Sequence, residues 1–226
     1  MAYYWPHLYL LFFIVIIWVL EKCFPKAMER AEENLLIIVI SSIMAVSFGQ
    51  VIARYGFNTG WNAALEFNTV AFSWLILLGM SYGIKTGIHI GVDIVLNAVP
   101  KPIAKALSLF GAFAAIMYGL ILLDATWLSM LGIDARGGAI EYWTKMFKIG
   151  IGTEELRYPV FMQEMFDLRP RVQRWLVLII LPISLAMLSY RSLQAFIDIA
   201  RGKRDMLISG HEAQDLVSAN KDSLKD

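Results

Sequence analysis

The residues best suited to chemistry are few and widely separated in this sequence. His89 and Asp93 lie four residues apart in the segment GIHIGVD, where an imidazole and a carboxylate can hydrogen-bond on one helical face. Catalysis would also need a nucleophile or a metal ion nearby, and the sequence places neither there. We therefore expect His89 and Asp93 to serve a structural or partner-contact role.

Metal and thiol chemistry have little support. Cys23 is the one cysteine, so it has no partner for an intramolecular disulfide. The three histidines lie far apart and form neither a zinc-binding motif nor the paired ligands of a b-type haem. We expect no cofactor and no metal site in this chain.

The composition is that of a membrane protein. Of 226 residues, 58% are hydrophobic and 17% are charged, and the mean hydropathy is +0.59, whereas about a quarter of the residues in a soluble domain are charged. The net charge of +1 gives no basic field that would hold a nucleic acid. Nucleic-acid binding is therefore excluded.

Apolar stretches divide the chain into membrane-spanning helices. About 20 apolar residues are needed to cross a bilayer. Lipid offers no hydrogen-bond partners to backbone N–H and C=O groups, so we expect these apolar runs to be helices. The sequence predicts an all-α integral membrane protein with one membrane domain (1–200) and a polar tail (201–226). The predicted spans are 34–53, 64–84, 106–131 and 175–198, with 8–20 as a further short segment that either spans the membrane or lies on its surface.

The distribution of Lys and Arg predicts the orientation. These residues favour 21–33, 85–105 and the C-terminus, which we therefore place in the cytoplasm. The long loop 134–174 then lies on the outer side of the membrane. It contains Ile140, Trp143 and Phe147 at helical spacing, which predicts an amphipathic interfacial helix.

Ionisable residues at the ends of spans are the first candidates for function in a membrane protein. Arg54 closes the first predicted span and Glu66 opens the second on the same side. The two could pair with each other or with a partner protein, or both could be solvated. Asp124, beside Trp127, is expected to face water in the interfacial aromatic belt.

Small residues recur at four-residue spacing in two neighbouring spans. The spacing allows two helix backbones to approach closely, so we expect these two spans to pack against each other. Gly87 could instead simply end its helix. The residues are Gly79, Gly83, Gly87 and Gly91 in the second span and Gly111, Ala115 and Gly119 in the third.

A combined pattern of acidic, aromatic and glycine residues runs through 33–100. Its residues are Glu33, Arg54, Tyr55, Phe57, Trp61 and Glu66, and then Trp74, Leu78, Gly79, Gly87, His89 and Asp93. In this pattern the segment resembles the small, DctQ-like membrane subunit of tripartite ATP-independent periplasmic (TRAP) transporters. The likeness extends more weakly over about 29–215, and the segment 150–156 and the tail are most similar to the C4-dicarboxylate branch (malate, succinate, fumarate).

The resemblance implies a supporting, non-enzymatic role in a bacterial inner membrane. In that family a periplasmic substrate-binding protein (P, DctP-like) captures the substrate, and a large membrane subunit (M, DctM-like) carries it by sodium symport. The small subunit is bound to M as a scaffold; docking of the binding protein is a further role open to it. Arg54, Trp61, Glu66, Trp74, Gly79, Gly83, Gly87, His89 and Asp93 are then partner-interface or structural candidates.

Two other classes of function stay open at this point. An independent homo-oligomeric channel or carrier could assemble through the glycine faces, although no internal inverted repeat is visible. A membrane enzyme or electron-transfer subunit would have to use His89 and Asp93. Bound phospholipid and other membrane lipid are further expected contacts of such a chain.

Overall fold

Long apolar helices dominate the computed structural model, which describes residues 5–87, 96, 99–158 and 160–203. Among these residues four helices are long and apolar enough to cross a membrane: Arg30–Gly56, Ala63–Thr86, Lys101–Leu123 and Arg174–Ala200. The predicted all-α membrane fold with four spans is confirmed. The predicted contacts of His89 and Asp93, the glycine Gly91 and the tail from 204 onward lie outside the described residues.

The elements follow one another along the chain in this order. Helices α1 (Trp5–Cys23), α2 (Pro25–Gly56), α3 (Ala63–Thr86) and α4 (Lys101–Leu123) come first. A 3₁₀ helix (Thr126–Leu131) and α5 (Ala139–Ile149) lead to strand β1 (Gly152–Arg157). Then come α6 (Val160–Phe166), β2 (Arg171–Gln173), α7 (Arg174–Leu178) and α8 (Ile180–Ala200).

The spanning helices lie side by side in an open layer. α3 packs between α2 and α8, and α4 packs on the other side of α8, while α1 lies against α8 and the edge of α2. α8 is therefore the central helix. Its side chains Leu185, Ala186 and Leu188 form the core together with Ala112 and Leu123 of α4.

The predicted packing of the two glycine faces is wrong. Within the described residues α3 and α4 make no extended contact with each other, because both pack on α8. A methyl group added at Gly79 or Gly111 would meet nothing within 4 Å, whereas one at Gly119 would collide with the Ser189 side chain of α8. Residues four apart rotate by about 40° per step around a 3.6-residue helix, so a four-residue series drifts off one face.

Local sequence explains where two spans end or break. The third predicted span, 106–131, stops as an α-helix at Leu123, because the Asp124 carboxylate accepts hydrogen bonds from the backbone N–H (2.9 Å) and hydroxyl (2.7 Å) of Thr126. The last span is interrupted at Ile179, since Pro182 cannot donate to the carbonyl of Leu178. Helical backbone angles persist at Ile179 (φ −60°, ψ −28°), so the chain continues in helical conformation through the break.

The loop 134–174 is more structured than its sequence indicates. The amphipathic segment forms α5, in which Trp143 stacks on Phe147 and donates its indole N–H to the carbonyl of Trp175 (3.0 Å). β1 and β2 then pair in an antiparallel hairpin that the sequence analysis did not predict. The hairpin brings this loop back to the start of the last span at Arg174.

Candidate functional site

Four helices contribute one ionisable side chain each to a cluster at one end of the layer, here called the ion cluster (Glu21, Glu32, Lys85, Arg191). Arg191 of α8 donates through one nitrogen to Glu21 of α1 (2.7 Å) and through the other to Glu32 of α2 (2.5 Å). Lys85 of α3 donates to the second oxygen of Glu32 at 3.0 Å. The cluster therefore joins α1, α2, α3 and α8 directly.

The charges of the ion cluster balance, two positive against two negative. The side chains of Arg191 and Glu32 are only 4% and 6% exposed, and charges buried to this degree are tolerated when they are paired. Glu21 follows the apolar stretch 8–20 of α1. Its burial raises the pKa of its carboxyl, but hydrogen bonds from Arg191 and other neighbours have a larger effect and hold that pKa below its ordinary value. The cluster thus holds the helix ends together as a set of ions.

The ion cluster was not predicted from the sequence. Glu33, which carries part of the family resemblance, is exposed, whereas its neighbour Glu32 is buried and belongs to the cluster. Lys85 entered the prediction only within 85–105, one of the ranges whose Lys and Arg set the orientation. Arg191 lies within the predicted span 175–198, and a charge in such a position is a recognised functional signal.

Glu66 occupies a second site at the opposite end of α3, here called the Glu66 clamp (Glu66 with the backbone of 154–156). One carboxylate oxygen accepts a hydrogen bond from the N–H of Glu154 at 3.0 Å. The other accepts from the N–H groups of Glu155 (2.6 Å) and Leu156 (2.8 Å). Successive backbone N–H groups that converge in this way form an anion-binding concavity, and α3 fills it with its own carboxylate.

Of the alternatives left open for Arg54 and Glu66, the structure does not form the direct ion pair between them. Glu66 is satisfied by the hairpin, while Arg54 is exposed and makes no ion pair with any residue that the structure describes. Arg54 instead lines an open surface pocket with Asn58 and Asn62. Its position in the last turn of α2 suits the negative end of the helix dipole.

Thr153 gives the hairpin the shape that the clamp needs. Its buried hydroxyl (residue 3% exposed) lies within hydrogen-bonding distance of the carbonyls of Leu156 (2.9 Å) and Val172 (3.1 Å), which share its single hydrogen. The pairing of the two strands is irregular between Gly152 and Arg157. This irregularity turns three neighbouring N–H groups toward Glu66 rather than toward a strand partner.

The distance between the two sites matches the thickness of a membrane. Glu66 lies in the first turn of α3 and Lys85 in its last turn, which at 1.5 Å per residue places them about 28 Å apart. The hydrocarbon core of a bilayer is about 30 Å thick. The clamp and the ion cluster therefore mark the two ends of the apolar layer.

The prediction that Asp124 faces water is wrong. The residue is only 3% exposed, and its carboxylate accepts hydrogen bonds from Thr126 where the chain turns into the 3₁₀ helix.

The remaining candidates have structural contacts. Trp74 donates its indole N–H to the carbonyl of Val177 at 2.8 Å, which ties α3 to the start of the last span. The backbone N–H of Trp61 donates to the side chain of Gln50 (3.0 Å). Gly87 ends α3 in the left-handed conformation (φ 73°), and its N–H donates to the carbonyl of Gly83 (2.8 Å). Of its two possible roles, Gly87 therefore ends the helix.

The described residues contain no cluster of three or more His, Cys, Asp or Glu side chains that could hold a metal ion. The ion cluster pairs its charges with one another, and the carboxylate of the clamp is bound by backbone N–H groups. Both arrangements can position helices and loops. Neither presents an activated nucleophile.

A family model described as "Tripartite ATP-independent periplasmic transporters, DctQ component" matches residues 43–202. This range contains Glu66, the hairpin, Lys85 and Arg191, and it starts after Glu21 and Glu32.

Proteins named C4-dicarboxylate TRAP transporter small permease protein DctQ are similar over much of the chain. The protein from Vibrio cholerae is 29% identical over 206 residues, which cover 88% of this chain and 83% of that protein. The protein from Pseudomonas aeruginosa is 28% identical over 156 residues (69% of this chain, 61% of that protein). The one from Rhodobacter capsulatus is 26% identical over 146 residues (65% and 52%).

Proposed function

Because the chain belongs to the family of DctQ components of tripartite ATP-independent periplasmic transporters, we propose that it is the small membrane subunit of a bacterial uptake system for C4-dicarboxylates such as malate, succinate and fumarate. The family match carries this proposal: it runs from residue 43, inside the first span, through the other three spans. The names of the relatives from three bacteria support the substrate class. The family implies a transport role and not an enzymatic one.

The principal partner in this proposal is a large membrane subunit that carries the substrate together with sodium. The open layer supports such a partner, because only 6% of the most apolar stretch of α2 is buried within the chain. Large side chains such as Ile38, Met44 and Phe48 of α2 are more than half exposed. Membrane helices associate through van der Waals packing of their side chains, so this exposed face of α2 can pack on a second membrane protein.

The two charged sites suit a scaffold. The ion cluster holds four helices together at one end of the layer. The Glu66 clamp holds the hairpin on α3 at the other end. We place the cluster and the C-terminus on the cytoplasmic side of the inner membrane, following the distribution of Lys and Arg, and the hairpin on the periplasmic side, where the substrate-binding protein docks.

Uptake measurements test this proposal. A strain that lacks the gene is expected to lose sodium-dependent uptake of labelled succinate, malate and fumarate, and re-expression of the chain should restore it. The purified chain alone in liposomes should transport none of the three. Normal uptake in the deletion strain, or transport by the chain alone, would contradict the proposal; the second result would favour an independent channel or carrier.

A further inference from the structure

Three arginines line one open pocket of about 420 Å³ on the hairpin. Arg157 and Arg171 occupy directly opposed positions on β1 and β2, and Arg169 precedes β2 by two residues. Like charges placed opposite each other across two strands destabilise the pair. The arrangement therefore has an electrostatic cost that a bound anion would offset.

No acidic side chain of the described residues neutralises these three arginines. The ion pairs of loop 134–174 involve other residues: Arg136 with Asp134, Lys145 with Glu141, and Arg174 with Glu154. Arg157, Arg169 and Arg171 make no ion pair within the ranges that the structure describes. Their guanidinium groups are free to bind an external anion.

Two glycines form the wall on which the arginine side chains lie. A Cβ atom at Gly152 would come within 2.7 Å of the Cβ of Arg171. At Gly150, a Cβ would lie 3.6 Å from a terminal nitrogen of Arg169, and the backbone there has φ +66°, which L side chains rarely adopt. Glycine at both positions keeps the pocket open beside the guanidinium groups.

The pocket lies close in the chain to the start of the last span, where we expect the lipid headgroups. β2 ends at Gln173 and the last span begins at Arg174, so at about 3.3 Å per residue Arg171 is within about 10 Å of the span. The polar layer on each side of the hydrocarbon core is about 5–8 Å thick. Ile149 and Ile151, which flank Gly150, are 60% and 44% exposed, as suits contact with the apolar part of a lipid.

We propose that this pocket, the arginine pocket (Arg157, Arg169, Arg171), binds the phosphate of an anionic phospholipid in the leaflet on the hairpin side. Guanidinium groups bind phosphate oxygens through paired N–H donors. A lipid accounts for the exposed isoleucines beside the arginines as well as for the charge. The bound lipid would fix the hairpin, and with it the Glu66 clamp, at the membrane surface.

Native mass spectrometry of the full chain in detergent tests the proposal, with phosphatidylglycerol or phosphatidylcholine of the same acyl chains as the probe. The test variant is Arg157→Gln/Arg169→Gln/Arg171→Gln. The matched control, Arg136→Gln/Lys145→Gln/Lys148→Gln, removes the same charge from the same loop outside the pocket. We expect the test variant to weaken phosphatidylglycerol binding by about tenfold, the control to change it by less than about twofold, and phosphatidylcholine to bind weakly throughout.

Equal binding of phosphatidylglycerol by the test variant and the control would overturn the proposal, as would equal binding of the two lipids by the unaltered chain. If the test variant bound phosphatidylglycerol normally but lost an acidic periplasmic protein that the control retains, the pocket would be a protein-docking site instead. All six substituted side chains lie at the surface, and unchanged thermal unfolding in both variants would show that the fold is intact.

Discussion

The guanidinium group of Arg191 donates a 2.5 Å hydrogen bond to the carboxylate of Glu32, although 159 residues separate them in the chain. Both side chains are almost completely buried. The contact joins the central helix α8 to α2, which has the least buried apolar surface of the four spans. Without it, α2 would be attached to the layer mainly through α3.

Neighbouring glutamates allow a sharp test of the ion cluster. Glu32→Gln should lower the free energy of unfolding by roughly 1.5–3 kcal/mol, the range for hydrogen bonds to charged groups, because Lys85 and Arg191 lose their shared carboxylate. Glu33→Gln should change it by less than about 0.5 kcal/mol, since Glu33 is exposed. Thermal unfolding of the purified chain in detergent measures both, and equal stability of the two variants would refute the structural role of the cluster.

The Glu66 clamp predicts a local effect on the hairpin. Glu66→Ala removes the acceptor of three backbone N–H groups, so the amides of Glu154, Glu155 and Leu156 should exchange with deuterium faster, by about tenfold or more. Arg54→Ala serves as the control, because Arg54 makes no ion pair within the described ranges. Hydrogen exchange followed by mass spectrometry gives the comparison. Protection that is the same in both variants would mean that Glu66 does not hold the hairpin.

Gly119 should be the critical glycine of the third span. Gly119→Ala places a methyl group against the Ser189 side chain, so we expect a loss of roughly 1–3 kcal/mol in stability from overpacking. Gly111→Ala, in the same helix, meets open space and should be neutral or slightly stabilising. Thermal unfolding checks both variants.

A double variant separates overpacking from other effects at this position. Ser189→Ala removes the hydroxyl that the new methyl group would strike, so it should restore most of the stability that Gly119→Ala loses. A double variant that stays as unstable as Gly119→Ala would contradict the proposed close approach of α4 and α8.

Sequence reasoning succeeded where local rules decide the structure. Uncharged runs predict the four spans, and the spacing of Trp143 and Phe147 predicts α5. The family resemblance from residues such as Trp61 and Glu66 is confirmed by the family match. For the spans and α5, the deciding feature is local: the hydrophobicity of one apolar stretch or the spacing of side chains within a few turns of one helix.

Long-range partners could not be predicted in the same way. The N–H groups that bind Glu66 lie 88 to 90 residues away in sequence, and they are backbone groups that any residue type supplies. Pairing Arg54 with Glu66 relied on charge and proximity in sequence, which do not reveal a competing backbone partner. The choice between Glu32 and Glu33 likewise depends on which face of α2 turns toward Lys85 and Arg191.

The most direct test of the proposed assembly is affinity purification of the tagged chain from its native membranes in mild detergent, followed by mass identification of the proteins that stay bound. We expect one large multi-span membrane protein in stoichiometric amount, retained with the unaltered chain. Recovery of the unaltered chain alone, or only as a homo-oligomer, would contradict its role as the small subunit of a TRAP transporter.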